Sequence, residues 1–455
     1  MAEELFLILG TGQKVLKEIN DRNYRKAKYY LPSNPNAAPV ETPFVGEAII
    51  RLFPKRFSKV YIFGTQKSMW ETLYAHSLQL DETKNETELN ENDIRIFGKL
   101  SFAIENNNIE EHPEYLDYVA KAFGGHLGIE TECHLIPIGE NEKEIWKIFG
   151  LLTKIKTKNT KISFDITHGL RYQPFFFLIS LFYLNSVDTS IRIGSIFYGG
   201  LELKSDPQHN DCAPILEFKV FSEVIDWINA AKIYNKYKDF TALSELLKKY
   251  DNMDKLAEAL RNFSNCYKLN YFNNIKDYAN NVIKSIENIK DATSEPFNLI
   301  KNELLSIPKE IIDCQSNLEI ILKIANHQWK SKHYGLVVIA LWEAILEKFI
   351  LVFNGKYTKY EIQQALPKFL YNKNYISIIN SERSNLHKNL IKLHEIRNSI
   401  AHLDLKDSKI KNFNIENIHS EIEKLFNYFY NNLLKIDFTK FKDIFTDNIE
   451  KKQTK

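Results

Sequence analysis

Histidine, arginine and asparagine come together in the segment His394-Glu395-Ile396-Arg397-Asn398-Ser399-Ile400-Ala401-His402. Leu386, Leu390, Leu393 and Ile400 give the surrounding stretch a helical apolar side. Asn398 and His402, four apart, then share a face, and the long Arg397 side chain reaches the same point. An imidazole titrating near neutrality takes and gives protons, a guanidinium stabilises charge on a phosphoryl transition state, and an amide orients either. Arg397, Asn398 and His402 therefore suit attack of a ribose 2′-hydroxyl on its own phosphate. That reaction needs no metal and leaves a 2′,3′-cyclic phosphate and a 5′-hydroxyl. His394 and His387 precede His402 near the same face, which leaves open a second imidazole from the same chain, with His394 otherwise a helix-surface residue. They do not read as a zinc site, because no carboxylate or cysteine completes a ligand set. The bare spacing also fits a solvated helix face, so the context has to choose.

A second group of candidates follows strand-like runs in the first half. Leu5 to Leu9 leads into Gly10-Thr11-Gly12-Gln13, Val60 to Phe63 into Gly64-Thr65-Gln66-Lys67, and Lys161 to Ile166 into Asp165-Ile166-Thr167-His168-Gly169-Leu170-Arg171. Turns at the carboxyl ends of parallel strands line the crevice where ligands bind, and helix N-termini there offer N–H groups to anions. Gly10, Gly12 and Gly169 let the backbone approach a guest; Thr11, Gln13, Thr65, Thr167 and His168 offer polar side chains; Arg171 can fork onto a phosphate; Asp165 orients its own turn. A phosphate-bearing ligand fits this set. A nicotinamide or flavin does not, because Val15 stands where the third glycine of the dinucleotide fingerprint belongs and no acidic second strand follows.

The elements that must position these residues differ between the two halves. Up to residue 220, six strand-like runs (Leu5 to Leu9, Val60 to Phe63, Glu132 to Pro137, Lys161 to Ile166, Ile191 to Tyr198, Ile215 to Val220) alternate with helical stretches. The helical stretches are Phe44 to Phe53, Ser68 to Leu80, Pro113 to Phe123 and Glu142 to Lys156, besides the very apolar Phe175 to Leu184. The pattern predicts a doubly wound, mostly parallel α/β domain over 1–220, with an antiparallel pair at its end across Ser205 to Pro214. Asp81 to Glu110, acidic and rich in asparagine, reads as a surface excursion without a catalytic role. From 221 to 455 apolar residues recur at three and four positions, as in Val224, Ile228, Ala231 and Tyr234 or Val338, Leu341, Ile345 and Phe349, predicting an all-α domain. Pro296, Pro308 and Pro367 are expected to fall between its helices.

Composition narrows the function classes. A net charge of +2 excludes a uniformly basic glove for duplex nucleic acid, and only ten of the 60 cationic residues are arginine, so each arginine counts. Four scattered cysteines argue against a disulfide framework or a zinc ribbon. No basic signal-peptide start and no membrane-length apolar run is present in the sequence, so a soluble cytoplasmic protein without membrane contact is expected.

Arg397-Asn398-Ser399-Ile400-Ala401-His402 resembles the Arg-x(4 to 6)-His signature of HEPN ribonucleases, and the helix His333 to Phe353, with Glu343 near its centre, is similar to the one such domains pack under the catalytic helix. Gly10-Thr11-Gly12 and Asp165 to Arg171 together resemble the ligand loops of CARF domains, the Rossmann-like sensors of cyclic oligoadenylates in type III CRISPR systems. CARF followed by HEPN is the order of the CRISPR-associated accessory ribonucleases, and the resemblance covers nearly the whole chain. It implies a homodimer whose paired α/β domains hold one ring of adenylates, tetra-adenylate being favoured over hexa-adenylate by frequency in the family. The ring is an allosteric activator and no other cofactor is implied. It further implies an endoribonuclease for single-stranded RNA in antiviral defence, with a composite site built from both copies of Arg397 and His402. Two alternatives stay open: a non-catalytic nucleotide sensor or regulator, and a HEPN toxin-like ribonuclease governed by a protein partner. Slow cleavage of the ring by the sensor domain is a further possibility, hinted at by His168 and the threonines.

Overall fold

A computed structural model describes residues 2–11, 26–80, 90–155, 159–289, 295–371, 381–402 and 415–439 with Lys442 and Thr446; side chains are described at all of these except 381–384, 401–402 and 415–416. The chain divides into two compact units, Met1–Ile225 and Asp226–Lys455.

The first unit is built on an eight-stranded sheet of order β3-β2-β8-β7-β6-β1-β4-β5. Its strands are β1 (Ala2–Ile8), β2 (Ala27–Tyr30), β3 (Val40–Thr42), β4 (Lys59–Gly64), β5 (Glu130–Leu135), β6 (Thr160–Asp165), β7 (Arg192–Gly199) and β8 (Ala213–Phe218). Pairing is parallel from β7 through β6, β1 and β4 to β5, and β8 runs antiparallel to β7 as the sequence predicts. Alternation along β1 explains why Leu5 to Ile8 are all apolar: Leu5 and Leu7 enter one core, Phe6 and Ile8 the other. The first core lies under helices α1 (Val45–Leu52), α2 (Trp70–Ser77), α3 (Glu91–Glu105) and α4 (Glu114–Leu127), and the second under α5 (Glu142–Lys154) and α6 (Tyr172–Val187).

Two features of this unit depart from the sequence reading. β2 and β3 add an edge that was not anticipated, since strands of four and three residues are too short to show a period. The expected surface excursion Asp81 to Glu110 contains α3, a 15-residue helix that buries Ile96, Phe97, Leu100, Ala103 and Ile104 in the first core. Its outer face carries Arg95, Lys99 and the exposed Phe102 beside Glu91, Asn92 and Glu105, and it is the acidic and asparagine residues flanking it in the sequence that mask its apolar period. The Asn90 side chain caps its start by accepting from the Asn92 N–H at 3.0 Å.

The second unit is helical. α7 (Val220–Tyr237) leads into it, followed by α8 (Thr241–Leu247), α9 (Asp254–Lys268), α10 (Ile275–Glu287), α11 (Glu295–Asp313), α12 (Asn317–Lys330), α13 (Tyr334–Phe353), α14 (Lys359–Leu370), α15 (Ser381–His402) and α16 (Ile415–Asn432). Two cores share it. Ile320 and Ile324 of α12 face the core formed with α7 to α11, whereas Leu318, Ile321, Leu322 and Ala325 face the one formed with α13 to α16.

In α13 the predicted stripe Val338, Leu341, Ile345 and Phe349 is fully buried. In α7 the predicted stripe holds at its C-terminal end, where Tyr234 is buried and Ala231 packs against the core, and fails at its N-terminal end. Val224 and Ile228 are exposed, and Trp227, Ala230 and Tyr234 enter the core, because the aromatic volume of Trp227 and Tyr234 decides the face. Pro308 and Pro367 also do not separate helices; each sits inside one, α11 and α14. Pro308 is itself buried, so packing there outweighs the lost backbone hydrogen bond. Among the described residues no helix is long and apolar enough to cross a membrane.

Candidate functional site

The three post-strand turns meet because β6, β1 and β4 are neighbours, with Leu7 paired to Asp165 and Ile8 to Phe63. Backbone and hydroxyl bonds lace the first two turns together. The Leu9 N–H donates to the Phe63 carbonyl at 2.7 Å, the Met69 N–H to that of Gly10 at 3.1 Å, and Ser68 Oγ to that of Leu9 at 2.9 Å. A Cβ on Gly10 would stand 3.5 Å from Cβ and Cγ of His168, an ordinary contact distance, so the third turn lies against the first without demanding glycine there. Thr11 is exposed beside it; Gly12 and Gln13 lie outside the described residues. Thr65 is buried, its Oγ1 3.3 Å from Ser68 Oγ and accepting from the Lys67 N–H at 3.3 Å, which shapes the second turn.

The third turn is held from within. Asp165 is 1% exposed, and its Oδ1 accepts from the Thr167 N–H at 3.0 Å and the Thr167 hydroxyl at 2.5 Å. That hydroxyl in turn accepts from the Gly199 N–H at 2.8 Å, which ties the turn to β7. Burial pushes the Asp165 carboxyl above its ordinary value, against the opposing pull of Thr167 and His168. Thr167 is thus committed to the scaffold. Gly169 adopts φ +98°, and a Cβ there would stand 2.7 Å from Ile8 Cγ2, so the position excludes side chains twice over.

Just past it the exposed Arg171 forms the N-terminal boundary of α6, which carries no side-chain cap. Its guanidinium makes no hydrogen bond or ion pair among the described residues. Arg56, by contrast, is locked to Glu3 at 3.0 Å and Glu217 at 2.8 Å. Gln173 Oε1 accepts from the Leu170 N–H at 3.0 Å, while the Arg171 guanidinium, the start of α6 and the exposed backbone at Gly169 could together cradle an anion at the point where the strand order reverses.

In the helical unit, α15 packs on α13 through Leu386, Leu390, Leu393 and Ile396. Arg397 donates from Nη1 to Asn398 Oδ1 at 2.9 Å, and Asn398 Nδ2 donates to His394 Nε2 at 3.1 Å. The other ring nitrogen of His394 lies 3.3 Å from the Tyr371 hydroxyl, and the ring centroid is 5.1 Å from that of Trp342. His394 is therefore no helix-surface residue. It is 8% exposed, and its imidazole is held below its ordinary pKa by burial and by the charge of Arg397. His387 is also buried, its Nε2 donating to the Leu370 carbonyl at 2.9 Å. Glu343 pairs with Lys359. His402 closes α15 one turn beyond Asn398, and its side chain lies outside the described residues. Trp342 and Tyr371, which seat His394, escaped the sequence reading because nothing local links them to α15; the one hint was the apolar strength of the helix that carries Trp342.

Comparison with known proteins gives matches along most of the chain. Residues 5–200 match the family described as CRISPR system endoribonuclease Csx1, CARF domain. Residues 223–314 match that described as CRISPR-associated protein MJ1674, second domain. The CRISPR-associated protein MJ1674 of Methanocaldococcus jannaschii is 24% identical over 435 residues, which cover 93% of this chain and 66% of that protein. The chain thus spans just under two thirds of the relative's length.

Proposed function

We propose, from the premise that this chain is a CARF-containing CRISPR-associated accessory protein, that its α/β unit binds a cyclic oligoadenylate and thereby switches on metal-independent cleavage of single-stranded RNA by its helical unit. The observation that carries the reading is the link from Arg397 through Asn398 to His394. A guanidinium beside a helix end is commonplace, but one aimed by an amide that is itself fixed by a buried imidazole is preorganised for a developing negative charge.

In this mechanism Arg397 stabilises the pentacovalent phosphoryl group, Asn398 holds the guanidinium on target, and His402 moves the proton of the 2′-hydroxyl or of the departing 5′-oxygen. His394 spends its Nε2 on Asn398, so the second imidazole comes from a second copy of the chain rather than from the same helix. Pairing has a surface to use. On α6 the side chains Phe175, Ile179, Tyr183 and Val187, spaced by four, are 67%, 44%, 53% and 68% exposed, and Trp146 of α5 lies open as well. Two-fold pairing through this stripe would set both anion cradles about one axis, where a symmetric ring of phosphates meets each Arg171 equally. A four-adenylate ring is the favoured guest, and weak sequence preference on the RNA is expected.

The deciding experiment supplies fluorescent single-stranded RNA with and without cyclic tetra- or hexa-adenylate, in a short incubation with excess EDTA. Cleavage only with a ring, unchanged by the chelator, is expected. Cleavage without any ring would instead indicate governance by a protein partner, and no cleavage under either condition a non-catalytic sensor. Arg171→Ala should raise the ring concentration for half-maximal activation about tenfold, the worth of one charge-assisted contact, while the maximal rate is retained. An unchanged activation curve would remove Arg171 from the ring site.

A further inference from the structure

Away from the anion cradle, three residues from three helices converge in the α/β unit. Glu47 of α1 accepts at Oε2 from His76 of α2, whose Nε2 lies at 2.7 Å, and its Oε1 is 3.1 Å from His126 Nε2 of α4. One ligand-capable atom from each lies within 4.8 Å of the others. The carboxylate is buried and the two imidazoles nearly so, their rings edge to face with centroids 5.7 Å apart. We infer that Glu47, His76 and His126 form a binding site for one divalent transition-metal ion, zinc by its donor set, that fastens α1, α2 and α4 together.

Three observations support this. The first concerns hydrogen atoms. His126 Nε2 lies 3.0 Å from Arg51 Nη2 as well as 3.1 Å from Glu47 Oε1. With a hydrogen the nitrogen satisfies the carboxylate but opposes a guanidinium N–H; with a lone pair it satisfies the guanidinium and opposes the carboxylate. A cation among the three groups takes the lone pair and the carboxylate together. Arg51 Nε also donates to Glu47 Oε1 at 2.8 Å, so an ion here would displace that pair, and the Arg51 side chain, 42% exposed, has solvent to turn to.

The second is the support around the carboxylate. Thr42 Oγ1 donates to Glu47 Oε2 at 2.6 Å, the sort of outer contact that fixes a ligating oxygen.

The third is the donor set. Two imidazole nitrogens and a carboxylate oxygen match the donor types of a zinc site, with bonds of about 2.0–2.2 Å. Such bonds put ligand atoms about 3.4 Å apart, against 2.7 and 3.1 Å to the carboxylate oxygens and at most 4.8 Å across the set, so closure needs side-chain shifts on the order of one ångström.

The test uses the full-length chain stripped by prolonged dialysis against a strong chelator and titrated with zinc alone. One site per chain is expected, with the melting temperature of the α/β unit rising by about 5 °C or more at a hundredfold excess over the dissociation constant. His76→Gln and His126→Gln should each lose the stoichiometric site. Should either fail to fold, cobalt(II) loading of the unaltered protein reads the ligands directly, and a spectrum of nitrogen and oxygen donors without thiolate charge transfer is expected. Absence of stoichiometric zinc binding, retention of it by a folded histidine variant, or a thiolate signature from the free cysteines would each overturn the assignment. The ion proposed here belongs to the α/β unit and not to the cleavage chemistry; brief chelation during an RNA assay and exhaustive stripping therefore test different claims.

Discussion

His402→Ala lowers ring-stimulated RNA cleavage by about 10²- to 10⁴-fold, the usual worth of one general acid or base, and leaves ring affinity unchanged. The expectation rests on how α15 apportions its polar groups. His387 donates to a carbonyl and His394 is consumed by Asn398, so neither presents an imidazole to substrate. That leaves His402, one turn past Asn398 on the same helix, as the histidine of this helix able to move a proton beside Arg397. Calorimetry with the ring and a gel or fluorescence assay with RNA separate the two properties. Cleavage within threefold of the unaltered protein would remove His402 from the mechanism. Loss of ring binding alongside cleavage would show that the substitution had damaged the fold instead.

The order of strands and helices was legible where burial imposes a period. β1 is apolar from Leu5 to Ile8 because both its faces are covered there, and α13 shows a clean stripe because it is central to its core. Legibility failed where surface chemistry overwrote that period. α3 was hidden by the acidic and asparagine-rich sequence that flanks it, and Pro308 reads as a breaker in sequence although packing keeps it within a helix. The candidate sites divide in the same way. Gly169 and Arg171 could be named because a strand end followed by glycine and arginine is a local pattern. The role of His394 could not, since it depends on Tyr371 and Trp342, which are distant in sequence. The Glu47, His76 and His126 cluster was invisible for that reason too: its members are 29 and 79 positions apart and meet only when three helices pack.

α6 presents a sharper case, and with it the second large effect. An apolar helix with no polar face reads as a buried one, and Phe177 and Leu181 are indeed buried, yet the opposite stripe from Phe175 to Val187 is open. A contiguous stripe of exposed large apolar side chains suits an interface. Each such side chain contributes about 1.5–3 kcal/mol when fully covered, so four per copy, counted on both copies, can offset the roughly 4–15 kcal/mol cost of association. Phe175→Glu combined with Ile179→Glu should therefore yield monomers by sedimentation, with an unchanged circular dichroism spectrum and ring-stimulated cleavage reduced at least about a hundredfold, as expected when paired general acid and base groups are separated. A mixing experiment then distinguishes lost pairing from local damage. Excess His402→Ala chains should suppress the unaltered protein by forming mixed pairs with a crippled composite site, whereas His402→Ala chains that also carry the two glutamates should not. Equal suppression by both would mean that the copies pair through another surface, and no suppression by either would mean that one chain holds a complete site.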